Sequence, residues 1–222
     1  MAKKVTLTAS DGSTVEFYDE IKAQGGVKDV YFSTDKTYVV AFYRKNLSPA
    51  EKDRLSNIVG PYHKRIFESP EGNYWKEFLI MPTKIVKWNE KTGVVLPFYP
   101  KRFFFSGGPF DGKEKEGKWF ASAKLRNRFL PADQKGTWLS NVHMCLKIAR
   151  AVRRLHAAGL AHSDLSYKNV LVDPISGNAC IIDADELVVP GKYDAGVLGT
   201  PDFIAPEVMA TRELKLGDPN KK

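Results

Sequence analysis

His162-Ser163-Asp164-Leu165-Ser166-Tyr167-Lys168-Asn169 is followed by Ile181-Ile182-Asp183 and, further on, by Gly199-Thr200-Pro201-Asp202-Phe203-Ile204-Ala205-Pro206-Glu207. A carboxylate, an amide and a second carboxylate thus come in a fixed order. Upstream, Leu139, Val142, Leu146, Ala149, Val152 and Leu155 recur at helical spacing, which predicts an amphipathic helix with one buried face. Gly159 supplies a left-handed stop just after it. Downstream, the runs 169–173 and 179–182 read as strands joined by a turn over Pro174 to Gly177. The order is helix, loop with Asp164, hairpin, loop with Asp183. A surface hairpin after a core helix would explain the periodicity, but not three acceptors on adjacent strand ends.

The spacing from Asp164 to Asn169 matches H-R-D-x-x-x-x-N, and at these residues the chain resembles the eukaryotic-type protein kinase family. The resemblance implies an α+β, bilobal, protein-kinase-like fold. A small β-rich lobe would occupy residues 1–96; a hinge and a helical large lobe, truncated after Ala-Pro-Glu, would occupy 97–222. It further implies ATP and Mg²⁺ as cofactors, with Asp164 accepting the proton of the substrate hydroxyl and Asn169 and Asp183 holding the metal. Thr200, in Gly-Thr-Pro, points to Ser/Thr rather than Tyr substrates, because in the family its hydroxyl bonds the catalytic Asp.

The amino-terminal third is laid over the family's small lobe through Ala23-Gln24-Gly25-Gly26-Val27-Lys28-Asp29-Val30-Tyr31, where G-x-G-x-x-G-x-V-Y is expected. Gly25 keeps the middle glycine. Ala23 and Lys28 stand where the other two would be. The next strand, Tyr38-Val39-Val40-Ala41-Phe42-Tyr43, ends on Tyr43 where the family carries its phosphate-binding lysine. The chain in this respect resembles the with-no-lysine kinases, and Lys28 becomes the candidate phosphate-contacting cation beside Gly25 and Gly26. A solvated hairpin lysine is the competing reading, and Arg44 and Lys45 are rival cations. Arg44 is expected on the opposite strand face because side chains alternate. Val30, Ala41 and Leu171 are expected around adenine, with Leu96 and Pro97 at the gatekeeper and first hinge positions.

Ser48-Pro49-Ala50-Glu51 reads as a capping box with proline in the first turn, which assigns Glu51 a structural role and leaves the family's helix glutamate without a clear counterpart. Gly60-Pro61 should interrupt that helix. Pro82 to Val86 and Gly93 to Tyr99 read as a hairpin leading to the hinge. Ser163 replaces the arginine that would clamp a phosphorylated activation loop, so activity should not require that modification. Asp183-Ala184-Asp185 stands where D-F-G is expected. Ser166 takes the place of the catalytic-loop lysine. Lys168, two residues on, is a candidate to neutralise the transferred phosphate, with a solvated loop lysine as the alternative.

Lys and Arg number 34 against 26 Asp and Glu, a formal charge of +8, spread over the chain apart from a denser run from Lys113 to Arg128. That run reads as a basic helical insert, about 111–130, and a solvated face rather than a nucleic-acid contact. Cys145 and Cys180 look like buried thiols of a reducing compartment. No apolar run reaches membrane length, so a cytoplasmic protein without membrane partners is expected. The wording from Leu160 to Pro174 and from Lys118 to Arg126 is similar to a bacterial kinase group that carries helix-hairpin-helix DNA-binding regions and accompanies tellurite-resistance-type gene sets. No such region is expected within this chain. Two function classes follow: an ATP-dependent Ser/Thr protein kinase acting on a protein substrate, or a pseudokinase serving as a nucleotide-binding scaffold.

Overall fold

The computed structural model describes residues 2–193, 200, 202–204 and 206. Gly199, Pro201, Ala205 and Glu207 lie outside the described residues. Strands β1 (Lys4–Thr8), β2 (Thr14–Gln24), β3 (Lys28–Ser33) and β4 (Tyr38–Tyr43) lead into helix α1 (Pro49–Asn57). Helices α2 (His63–Phe67) and α3 (Gly72–Trp75) precede the hairpin of β5 (Lys84–Trp88) and β6 (Lys91–Pro97). The six strands form one sheet in the order β1-β2-β3-β4-β6-β5, antiparallel throughout.

Period-two alternation divides this sheet into two faces. Val40, Phe42, Tyr31, Phe17 and Val95 pack on the outer face with Trp88. Edge-to-face ring pairs such as Phe17 with Trp88, at 5.2 Å, give that layer its geometry. Ala41, Tyr43, Val94 and Leu96 point the other way, into a cluster shared with Leu171, Cys180 and Ile182. One strand therefore builds a core and also lines a cleft.

Helix α1 opens with the expected capping box: Ser48 Oγ accepts from Glu51 N, and the Glu51 carboxylate accepts from Ser48 N at 2.8 Å. Gly60-Pro61 does not stop the chain's helical course. The segment Ile58–Tyr62 widens into a π-helical turn around Pro61 and continues into α2. A wider turn accommodates a residue that lacks its own N–H, so proline here deforms the helix rather than ending it.

After β6 come α4 (Lys118–Ala121) and α5 (Ala123–Phe129), then the long helix α6 (Trp138–Ala157) and the hairpin of β7 (Val170–Asp173) and β8 (Asn178–Ile181). Gly159 adopts φ +84, the left-handed stop expected after α6. The buried face of α6 differs from the expected one. Ser140, Met144, Ala151 and Leu155 are buried, whereas Leu139, Val142, Leu146 and Ala149 are exposed. Each three-residue step falls about 60° short of a full turn, so a list built mostly on such steps winds from one face to another. Cys145 lies on the same outward side and is exposed, contrary to expectation, while Cys180 is buried. Ala151, Leu155 and Ala158 pack against Ile58, Ile66, Phe78 and Ile181, which ties α6 to both the small-lobe helices and the loop carrying Asp183. Among the described residues no helix is long and apolar enough to cross a membrane.

Candidate active site

The cation sits where the sheet register puts it. Lys28 is the first residue of β3 and pairs with Tyr43, the last of β4, so both side chains leave the sheet on the same face, toward the cleft. Lys28 is 8% exposed, which rejects the solvated-hairpin reading. Its Nζ donates to Asp183 Oδ1 at 2.7 Å and to Asp185 Oδ1 and Oδ2 at 2.8 Å each. Tyr43 Oη donates to the same Asp185 carboxylate, and Lys28 Nζ lies 5.6 Å from the Tyr43 ring centre.

Burial alone would strip the charge from Lys28, but Asp185 and then Asp183 outweigh it and hold its pKa above that of an ordinary lysine. Burial likewise opposes ionisation of Asp185, and the Lys28 charge beside it brings the carboxyl below its usual range. Burial, reinforced by the Asp185 charge, pushes the Tyr43 phenol far up, so it remains a hydrogen-bond donor.

Neither rival cation joins this group. Arg44 turns to the opposite side, where its guanidinium donates to the carbonyls of Gly25 and Gly26 and braces the turn between β2 and β3. Lys45 pairs with Glu51 at 2.8 Å. Glu51, held by Ser48 and Lys45, has its pKa lowered to about 2.

The loop after α6 presents Asp164. Thr200 donates to Asp164 Oδ1 through both its backbone N and its hydroxyl, at 2.8 Å each. Asn169 Nδ2 donates to Asp164 O at 2.7 Å and to Asp164 Oδ2 at 3.2 Å. His162 ties this loop to the next: its Nδ1 accepts from Asp164 N at 3.3 Å and its Nε2 lies 3.0 Å from Ile182 O. Ile182 N in turn donates to Asn169 O at 3.0 Å, which locks the Asn169 and Asp183 loops side by side. Asp183 itself takes a left-handed conformation, φ 60 and ψ 38. Ser166 is buried, and Lys168 is exposed beside it. Val30, Ala41, Leu96 and Leu171 meet in one apolar cluster, with Tyr99 packed against it, and Pro97 is exposed at the end of β6.

Among the described residues no three His, Cys, Asp or Glu side chains converge as a metal cluster. Magnesium asks for less, because one or two carboxylates and phosphate oxygens hold it. The donor set fits: Asn169 spends its amide nitrogen on Asp164, which turns its oxygen elsewhere, and Asp183 offers carboxylate oxygens from the adjoining loop.

Residues 134–187 match the lipopolysaccharide kinase (Kdo/WaaP) family. The dual serine/threonine and tyrosine protein kinase of Apis mellifera is 32% identical over 74 residues, which is 33% of this chain and 8% of that protein. The dual specificity testis-specific protein kinase 1 of Rattus norvegicus is 34% identical over 91 residues, 37% of this chain and 14% of the relative. The chain thus spans a small part of the length of the relatives it matches. The structure of vaccinia related kinase 3 aligns over 92% of this chain and 61% of its own, with a TM-score of 0.55 at 14% identity. The fold is kinase-like.

In this kinase-like frame two residues with close contacts to the cation went unassigned from sequence. Asp185, at the last position of Asp183-Ala184-Asp185, and Tyr43, at the end of β4, both reach Lys28 or its partner. The available signal was charge balance: a lysine moved into the cleft without a helix glutamate needs an acid from elsewhere, and a second one stands two residues after Asp183.

Proposed function

We propose that this kinase-like chain transfers the γ-phosphoryl group of ATP to a Ser or Thr hydroxyl of a protein. The observation that carries the reading is the pairing of two locked loops: one carries Asp164 and Asn169, the other carries Asp183 opposite a buried lysine. Asp164, oriented by Thr200 and Asn169, is the group to accept the proton of the attacking hydroxyl. Lys28, with Gly25 and Gly26 in the turn above it, supplies fixed positive charge for the phosphates. Lys168, exposed on the Asp164 loop, is suited to meet the transferred phosphate. Val30, Ala41, Leu96, Pro97 and Leu171 form the adenine side of the cleft. Asn169 and Asp183 would hold magnesium, which when bound neutralises charge on the phosphates.

The match of residues 134–187 to lipopolysaccharide kinases supports a second acceptor, a hydroxyl of a sugar. Radiolabel transfer from γ-labelled ATP to Ser, Thr and Tyr peptides and to lipopolysaccharide separates the two. Label on Ser or Thr, lost in Asp183→Asn, is the expected result. Label on sugar alone overturns the protein-substrate reading. Transfer to none of them, with ATP still bound, makes the chain a nucleotide-binding scaffold.

A further inference from the structure

We propose that Asp185 and Tyr43 are a positioning pair for the phosphate-binding lysine, replacing a carboxylate from the small-lobe helix. The inference rests on the phosphoryl-transfer reading of the site and deepens it. A phosphate-binding cation must be held at a fixed place and yet not be neutralised by burial, which requires a carboxylate partner that is itself fully satisfied. Helix α1 does not provide one. Its only first-turn acid, Glu51, is committed to the capping box and to Lys45. Glu51, Arg54 and Leu55 of the helix line the same cavity as Asp185 and Glu186, and among the described residues no side-chain hydrogen bond or ion pair joins Glu51 to Lys28.

Asp185 meets each requirement. It is 1% exposed, both its oxygens lie 2.8 Å from Lys28 Nζ, and one of them also accepts from Tyr43 Oη. The β3–β4 register explains why a phenol occupies the vacated lysine position. From Tyr43 a rigid side chain reaches the same carboxylate that Lys28 reaches, donates to it, and carries no second positive charge into the site. Alanine at position 184 lets this happen, because its methyl group is fully buried among Ile58, Leu155 and Leu187 while the chain turns to bring Asp185 under the sheet. The consequence is that the cation's anchor belongs to the same loop as Asp183. Anchoring of the lysine then depends on that loop and not on a carboxylate of α1.

The test uses the full chain, with two readouts: affinity for a fluorescent ATP analogue, and label transfer from γ-labelled ATP with kcat and KM separated. Asp185→Asn and Tyr43→Phe should each weaken nucleotide binding or kcat about tenfold or more, while KM for the acceptor stays unchanged. Glu51→Gln should leave both readouts as in the wild type. The decisive variant moves the lysine back to the strand, Lys28→Ala with Tyr43→Lys. It should recover binding relative to Lys28→Ala alone, and adding Asp185→Asn should abolish the recovery. If Asp185→Asn does not fold, as judged by circular dichroism, Tyr43→Phe and the relocation variant still decide. Wild-type readouts in both Asp185→Asn and Tyr43→Phe, or a dead Glu51→Gln, overturn the proposal. A wild type that binds ATP but transfers no label defeats the kinase reading and leaves the positioning pair to be judged on affinity.

Discussion

Lys28 Nζ lies 2.7 Å from Asp183 Oδ1, so the cation proposed for the phosphates holds the carboxylate proposed for the metal. The two roles conflict until nucleotide arrives. On the proposed reading, phosphate oxygens would draw Lys28 toward them while Asp185 keeps it tethered, and Asp183 would be freed. Nucleotide and divalent cation should therefore bind cooperatively, since each removes a partner that the other must displace.

The first prediction is read without any turnover. Manganese, followed by electron paramagnetic resonance, should bind the nucleotide-free protein weakly and bind Lys28→Ala more tightly, by about fivefold or more, if an ion pair is all that competes. Equal affinity in the two proteins would show that Lys28 does not guard Asp183.

A second prediction concerns pH. Glu51 is lowered from 4.5 to about 2 in the folded chain, first by the hydrogen bond from Lys45 and then by that from Ser48. Its folded pKa lies below its unfolded one, so its contribution is present above about pH 4.5 and is lost as pH falls toward 2. Glu51→Gln keeps an acceptor for Ser48 N but loses the charge beside Lys45 and the helix N-terminus, and should cost about 0.3–1 kcal/mol of stability at neutral pH. Urea melts from pH 7 to pH 2.5 should show the gap between wild type and variant closing. A constant gap would mean that the carboxylate's charge contributes nothing.

The order of elements around Asp164 was legible because caps, turns and period-two runs are local signals. That Lys28 is no solvated lysine could be anticipated for a different reason: its place in the turn loop and the missing strand lysine both singled it out. What stayed hidden depends on contacts distant in sequence. Asp185 pairs with residues more than 140 positions away, and a one-dimensional reading could see only that an acid followed Asp183. The outward turn of Leu139, Val142 and Leu146 was hidden because α6 carries apolar residues on two sides. Spacing alone does not say which side meets Ile58 and Ile181. The π-helical turn at Pro61 was missed for a third reason, since a proline's effect on a helix depends on whether neighbouring packing holds the deformed turn together.

The two sides of α6 can be separated by mutation. Leu155 is 1% exposed and touches the core shared by both lobes, so Leu155→Ala should cost about 2–5 kcal/mol. Leu146, 47% exposed, should tolerate replacement by Gln within about 0.5 kcal/mol. Denaturant midpoints of the two variants measure both values. A loss at Leu146 as large as that at Leu155 would show that the outward side is covered in solution.

The segment after Asp183 is fastened to α1 by Tyr193. Its hydroxyl donates to the Asp53 carboxylate and accepts from Asn57 Nδ2 at 2.8 Å, while Lys192 Nζ donates to Asn57 Oδ1 at 3.0 Å. A phosphate on this hydroxyl would face the Asp53 carboxylate and remove the donor, so phosphorylation here should loosen the segment, the reverse of an activating clamp. This agrees with Ser163, which offers no cation to a phosphorylated loop. Tyr193→Phe should lower the melting temperature and speed amide exchange in the carboxyl-terminal half of α1. Asp53→Asn should do so less, because an amide oxygen still accepts from the hydroxyl. Phosphatase treatment should leave the transfer rate unchanged or raise it. A rate that falls on dephosphorylation and returns when Tyr193 is phosphorylated would show that the segment is activated by charge, and that a cation other than residue 163 receives it.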